Sequence, residues 1–401
     1  MQGKLLDILA CPIDGFFPLR SISLVTEEED ILEGVLLCEK CGRWFPVRNG
    51  IPHLIRDGLR FVEEDRAFLQ KFASRLPENL VSEAPPLNLS DDPPKKSPED
   101  EKIMEEGQYW SGYARAHYNV GDTSFLDVRS KSTHPSFYPL GVLERDDKDR
   151  DRKYGMWPDH LSSVIFGFLE SLSPGVALDA GCGAGQFALE PAYLGWDVIA
   201  LDVALGALEV GRDYALSRGQ AVHYIYAEPE FPPLRQETVD LLLAKDSLHH
   251  LPRVERVFEN LHRVLKYRGK FLFFDHVSQS KTCRAIINHV NRRLHPKISA
   301  RYPKVEVPEA LKKESPAEDI GMKDIMRLVP EYFHVEQSVR EHMLYHILEF
   351  SVYYAFGKRR RFTRAVTFLV KWLIEKPLLL FEDAEFALLI GRKKVRSGGN
   401  H

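Results

Sequence analysis

VALDAGCGAGQFALE, residues 176–190, runs from short apolar residues through an acid and three alternate glycines, Asp179, Gly181, Gly183 and Gly185, into a helix-favouring segment. A strand that turns tightly into a helix needs residues without a Cβ. The same residues let a ligand approach the backbone N–H groups at the carboxyl edge of a sheet. Outward from this stretch, strand-sized apolar runs alternate with helical patterns. Strands are expected at 176–178, 197–201, 223–226, 239–244, 270–274, 333–337 and 386–390. Such alternation predicts an α/β fold built on a doubly wound, seven-stranded sheet.

The second of these strands ends in Asp202, 21 residues beyond Gly181, near the spacing at which a carboxylate takes both hydroxyls of a ribose. A G-x-G-x-x-G dinucleotide loop would need glycine where Gln186 stands, and Gly185 comes one residue early. Acid-x-G-x-G-x-G followed by a later acid instead resembles motif I and its partner in class I S-adenosylmethionine-dependent methyltransferases. The resemblance extends over residues 154–277 and is closest to the small-molecule branch typified by ubiquinone and menaquinone biosynthesis enzymes. It implies a Rossmann-like fold, S-adenosyl-L-methionine as cofactor and methyl transfer as the activity.

On that resemblance the cofactor-binding candidates are Asp179, Gly181, Cys182, Gly183, Gly185, Asp202, Glu228 and Lys245. Glu228 lies in YAEPEFPPLRQETVD (226–240), where the family places an acid for the adenine amino group; this chain carries Glu for the usual Asp and Pro for Leu before the second proline. LLLAKDSLHHLPRVERVFENLHRVLKYRGKFLFFDHV (241–277) matches the family's fourth strand, Leu-His-His-Leu turn, helix and fifth strand. Methyl transfer from a sulfonium requires an in-line approach, which positioning and exclusion of water largely supply. His249 and His250 are candidates to accept a proton from an acceptor hydroxyl, with Asp246 the third catalytic candidate. A histidine at a helix start also serves structural ends, and both roles stand open.

The turn Lys245-Asp246-Ser247-Leu248 is not the Asn/Asp-Pro-Pro-aromatic turn of amino-methylating enzymes. Neither Cys182 nor Cys283 has the context of a cytosine-methylating nucleophile. The expected acceptor is an oxygen, carbon or ordinary amine on a small molecule, sugar or lipid.

Three of the five cysteines fall in the first 41 residues. Cys11-x-x-Asp14 and Cys38-x-x-Cys41 form two knuckle-like pairs near zinc-ribbon spacing, one thiol short of a full set. Residues 1–57 otherwise show short β-prone runs between Gly and Pro turns. LLDILACPIDG with LLCEKCGRWFPVRNGIPHLI resembles the small zinc-ribbon proteins that serve as activator subunits of methyltransferases. The resemblance implies a ribbon fold. Zinc on Cys11, Asp14, Cys38 and Cys41, and a metal-free ribbon packed by its apolar residues, remain two readings. An RNA or protein methyltransferase guided by the ribbon, and a non-catalytic scaffold keeping the ligand fold, are the alternatives to a small-molecule enzyme.

The chain has 401 residues, 44% of them apolar, and 54 Lys+Arg against 58 Asp+Glu. That balance supplies no global basic field and argues against a nucleic-acid partner. Cysteine usage fits a reducing compartment, and no apolar run approaches the roughly 18 residues of a spanning helix, so a cytoplasmic protein is expected. A helix is expected over 59–76, then a Pro-rich charged linker over 82–101 with five prolines and eight charged residues. The ten-residue charge run 144–153 reads as solvated. Domains are thus expected at 1–57, 58–153 (helix and linker) and 154–395. Ser315, Pro316 and Glu318 have helix-start spacing. A helical insertion at 341–383 holds a basic knot, 358–361 plus Arg364, between apolar segments. It suits either a lid over the site or peripheral membrane contact through 343–380.

Overall fold

The computed structural model describes residues 1–77, 96–117, 159–277, 280–301, 320–342, 365, 368–369, 371–381 and 384–394. Four antiparallel strands form the N-terminal sheet in sequence order: β1 (Arg20–Glu27), β2 (Asp30–Leu37), β3 (Trp44–Arg48) and β4 (Ile51–Pro52). Helix α1 (Val62–Phe72) lays Phe68, Leu69 and Phe72, spaced on one helical face, against Leu24, Val35 and Trp44 of that sheet. Its charged side is anchored too. Buried Arg60 donates to Asp65 and to the Trp44 carbonyl, and Arg48 pairs with the same Asp65.

The large sheet contains all seven expected strands: β5 (Val176–Ala180), β6 (Asp197–Asp202), β7 (Val222–Tyr226), β8 (Val239–Lys245), β9 (Leu265–His276), β10 (Phe333–Glu341) and β11 (Phe386–Lys393). Their order is β10-β11-β9-β8-β5-β6-β7, and β11 alone runs against its neighbours. The central strands are apolar on both faces, as in Leu241–Leu243 and Phe271–Phe274, because helices cover both sides of a parallel sheet. The helices of this part are α2 (Pro98–His117), α3 (Asp159–Ser171), α4 (Leu189–Tyr193), α5 (Leu205–Ser217), α6 (Val254–Val264), α7 (Lys281–Arg301) and α8 (Met322–Tyr332).

Three elements differ from the sequence expectations. Helix α2 starts inside the stretch expected to be linker. Ser97 Oγ accepts from the Asp100 amide while Asp100 Oδ2 accepts from the Ser97 amide, a reciprocal cap with Pro98 in the first turn. The helix before β10 starts at Met322, with Ile320 and Gly321 non-helical, so it does not grow from Ser315–Glu318, which lies outside the described residues. After the glycine loop the chain makes irregular turns and then only the short α4, which contains Pro191 with no N–H to donate and ends before Gly195 at φ +84°. The charge run 144–153 and most of the 341–383 insertion also lie outside the described residues. In the described part of that insertion Phe368, Trp372, Leu373, Leu380 and Phe381 are exposed.

The two sheets share one core. Leu5, Leu9, Leu36 and Phe45 pack in the same buried cluster as Leu178, Ile199, Leu234 and Leu242. Backbone bonds cross the boundary as well: the Ala10 amide donates to the Pro233 carbonyl at 2.9 Å and the Arg235 amide to Ile8 at 2.8 Å. Isolated bridges join Leu9 to Leu234 and His53 to Tyr226. Truncating the fully buried Leu9 to Ala is therefore expected to cost about 2–5 kcal/mol. Thermal unfolding followed by circular dichroism should shift as one transition rather than splitting in two.

Candidate active site

The carboxyl ends of β5 to β9 bring a row of acids together, each handled differently. Asp179, in β5, is 1% exposed, and among the described residues neither of its carboxylate oxygens reaches a hydrogen-bond partner. Burial is the main cause of its high pKa, pushed up to about 7; nearby Asp202 raises it further, while Lys245 and a weak pull from the Ala188 amide lower it. Asp202, the last residue of β6, accepts from the Gly183 amide at 2.7 Å and the Ala204 amide at 2.8 Å. It thus grips the glycine loop from the neighbouring strand. Burial nonetheless leaves its pKa raised.

In the loop, Gly181, Gly183 and Gly185 have φ of +75°, +56° and +77°. A Cβ on Gly181 would come within 2.5 Å of the Ser247 side chain, whereas one on Gly183 would meet nothing within 4 Å. Gly181 is thus glycine for packing, and Gly183 faces open space where a ligand can approach the backbone. Cys182 is buried, its thiol pushed well up by desolvation, and its Sγ lies 3.5 Å from the Gly183 carbonyl.

Glu228, two residues past β7, is 3% exposed and bound by both arms of Arg56, at 2.7 Å and 2.5 Å. Arg56 comes from the N-terminal module and also reaches Asp100 of α2 at 3.2 Å. Both oxygens of the acid expected to meet adenine are therefore already engaged across the domain boundary. Burial raises the Glu228 pKa and Arg56 pulls it back.

Beyond β8 lies a chain of paired groups. Lys245 Nζ donates to Asp246 at 2.6 Å, and His276 Nδ1 meets the other Asp246 oxygen at 2.6 Å. Although burial opposes it, these two cations hold the Asp246 carboxyl well below the usual range, while the His276 pKa is raised against burial chiefly by the Asp246 charge. Asp246, at φ +51°, is thus a fixed anion and a poor proton acceptor. His249 is buried, its Nδ1 2.5 Å from Asp275 Oδ1, and Asp275 Oδ2 accepts from the Leu248 amide. His250 Nδ1 lies 3.1 Å from Glu106 Oε1, to which Trp110 Nε1 also donates. The His249 and His250 rings lie 3.9 Å apart.

Six of these participants, Arg56, Asp100, Glu106, Trp110, Asp275 and His276, were not singled out from the sequence as site residues. Asp275 and His276 could have been found, because FFDHV ends a strand at the ligand edge with an acid and a histidine. Glu106 and Trp110 could have followed from the cap at Ser97. Arg56 carried no local signal.

In the N-terminal module, ligand atoms of Cys11, Asp14, Cys38 and Cys41 all lie within 4.8 Å of one another. Cys11 Sγ is 3.7 Å from Cys41 Sγ, and Cys38 Sγ is 3.6 Å from Asp14 Oδ1. Three thiols and a carboxylate at these separations fit a tetrahedral zinc shell.

Residues 178–273 match the family described as methyltransferase domain, and residues 3–50 match that of Trm112p-like proteins. The chain thus carries a methyltransferase domain behind a Trm112p-like one. Among individual proteins it is 29% identical over 121 residues to the uncharacterized methyltransferase YcgJ of Bacillus subtilis, covering 30% of this chain and 48% of that protein. It is 35% identical over 98 residues to malonyl-[acyl-carrier protein] O-methyltransferase of Yersinia pestis, covering 24% of this chain and 35% of that one. Identity to ubiquinone biosynthesis O-methyltransferase of Photobacterium profundum is 33% over 97 residues, 24% of this chain and 41% of the relative. The chain spans less than half the length of each of these curated relatives. A solved geranyl diphosphate C-methyltransferase of Streptomyces coelicolor superposes with a TM-score of 0.44 at 13% identity, over 75% of this chain and 100% of that structure.

Replacing Arg56 by Met would leave Glu228 buried without its partner, at an expected cost of about 3 kcal/mol at neutral pH. Because protonation removes the stranded charge, the deficit relative to wild type should shrink as pH falls through the raised Glu228 pKa. Denaturant titrations across acid and neutral pH would check both signs.

Proposed function

We propose that the protein is an S-adenosylmethionine-dependent methyltransferase acting on an oxygen or carbon of a small-molecule acceptor. The observation that carries this reading is Asp179: a buried carboxylate with no hydrogen-bond partner among the described residues, beside a glycine loop whose Gly183 opens to space. An anion so placed fits a ligand that brings positive charge and hydrogen-bond donors. Asp179, Gly181, Cys182, Gly183 and Gly185 would hold the cofactor with Asp202, and Lys245 would tune the charge beside Asp179. Glu228 joins them only by sharing its oxygens with Arg56. The bound cofactor supplies a sulfonium methyl group, and the chain's own work is to orient the acceptor, exclude water and manage one proton.

His249 is the proton acceptor we favour. With Nδ1 donating to Asp275, its Nε2 is left as the basic nitrogen, the orientation logic of a histidine–carboxylate pair. His250, held by Glu106, and Asp246, held ionised, position their neighbours. Relatives named for methylating malonyl-[acyl-carrier protein], ubiquinone precursors and sterols support an acceptor attached to an apolar or carrier-bound body. The exposed Phe368, Trp372, Leu373, Leu380 and Phe381 favour a lipid-linked acceptor over a free sugar, with those side chains resting on the lipid. Among the described residues no helix is long and apolar enough to cross a membrane. The ribbon quartet would hold one zinc ion as a structural clip.

Two experiments test this reading. Calorimetry should show S-adenosylmethionine or its demethylated product binding more tightly as pH rises from about 5.5 to about 8, by up to about tenfold per unit and levelling above the Asp179 pKa, because binding favours the ionised carboxyl. Since the folded pKa of Asp179 is raised, ionising it costs the free protein stability as pH rises toward 7. Asp179→Asn should therefore stabilise the free protein at neutral pH while weakening the ligand and removing its pH dependence. Ligand affinity unchanged in that variant would remove Asp179 from the site. His249→Asn should lower kcat by roughly 100-fold or more with cofactor affinity unchanged, and full activity in that variant would exclude it as the base.

A further inference from the structure

At the carboxyl edge of the large sheet, beside the end of β9, Cys283, His342 and Glu385 bring a thiol, an imidazole and a carboxyl together, with ligand atoms all within 4.8 Å of one another. None belongs to the ribbon, and none takes part in the methyl transfer proposed above. Cys283 lies in the first turn of α7, His342 directly follows β10 and Glu385 directly precedes β11. Their exposures are 0%, 0% and 2%.

The histidine is the telling residue. Among the described residues, neither ring nitrogen of His342 has a hydrogen-bond partner, although both are buried. Its Nδ1 lies 3.4 Å from Glu385 Oε1, and that oxygen already accepts from the Ser280 amide at 2.7 Å. A buried polar side chain left in this state is costly unless something else satisfies it.

We infer that Cys283, His342 and Glu385 form a second metal site, selective for a zinc-class ion. One thiolate, one imidazole and one carboxylate are zinc donors rather than the all-oxygen set of magnesium or calcium. The charge also balances: thiolate and carboxylate offset a divalent ion around a neutral histidine, which suits a fully buried position. Forming the metal–sulfur bond releases the Cys283 proton to solvent, and one imidazole nitrogen donates its lone pair. His342 Nδ1 and Glu385 Oε1, 3.4 Å apart, already stand at the roughly 3.5 Å separation of a tetrahedral shell, with the fourth position left to water or another ligand. Because His342 and Glu385 flank the connection between β10 and β11, the ion ties both roots of that connection to α7.

The test uses the full-length chain, stripped with chelator and reloaded with zinc alone, with the metal then counted per chain. Cys283→Ser and His342→Gln should each lose about one equivalent relative to wild type. Cys38→Ser should retain that equivalent whether or not the ribbon binds its own. Wild-type metal content in folded Cys283→Ser and His342→Gln proteins would overturn the site. Should both variants fail to fold, cadmium NMR of the wild-type protein decides. A resonance typical of one sulfur with nitrogen and oxygen donors supports the site, and a spectrum holding only a sulfur-rich resonance, or none, overturns it. Failure of the methyltransferase reading would leave these results unchanged, since they read metal and not activity.

Discussion

Burying carboxylates along one edge of a parallel sheet is costly, and much of the molecule is arranged around compensating them. Asp202 is met by the Gly183 amide of the glycine loop and the Ala204 amide after β6, Asp275 by a histidine and an amide, Asp246 by a lysine and a histidine, and Glu228 by an arginine from the other module. Each solution fixes a piece of backbone: the loop after β5, the Leu-His-His turn, the end of β9 and the docking of the N-terminal sheet. Asp179 lacks such a partner, and its carboxyl is correspondingly hard to ionise. A neutral acid in the free protein that becomes an anion beside a cationic ligand couples binding to proton release.

The two modules meet through both apolar and ionic contacts. Leu5 and Leu9 enter the core shared with the large sheet, while Arg56 reaches past them to Glu228 and Asp100. Helix α2 closes the same region from above. Gly107 lies so near the Val203 carbonyl that a Cβ would come within 2.4 Å, and the Ser111 hydroxyl accepts from the Gly206 amide at the start of α5. Thus α2, α5 and the N-terminal module converge beside the end of β6.

How much of this was legible depended on how local each signal is. The seven strands showed because each is an apolar run bounded by breakers, and the glycine loop because its residue types are dictated by backbone geometry at Gly181 and Gly183. The quartet of three cysteines and Asp14 was equally readable, since its two short-range pairs announce themselves. Helix α2 was missed because prolines and charges dominate its surroundings, although Ser97-Pro98-Glu99-Asp100 carries the start signal recognised at Ser315. The contact from Arg56 to Glu228 spans 172 positions. No periodicity or spacing encodes such a pair, and neither did any mark the meeting of Cys283, His342 and Glu385.

The shared core has a consequence for stoichiometry. A helper domain that travels as a separate subunit can be divided among several partners, so its supply decides how many are engaged at once. Here the small sheet and the large one are joined covalently and packed as one body, with Leu9 and Leu234 in the same interior. Every large sheet is made with its own small sheet at a local concentration no free subunit could match, and no competitor can draw it away. The pairing is settled once, when the chain folds, and expression level cannot alter it.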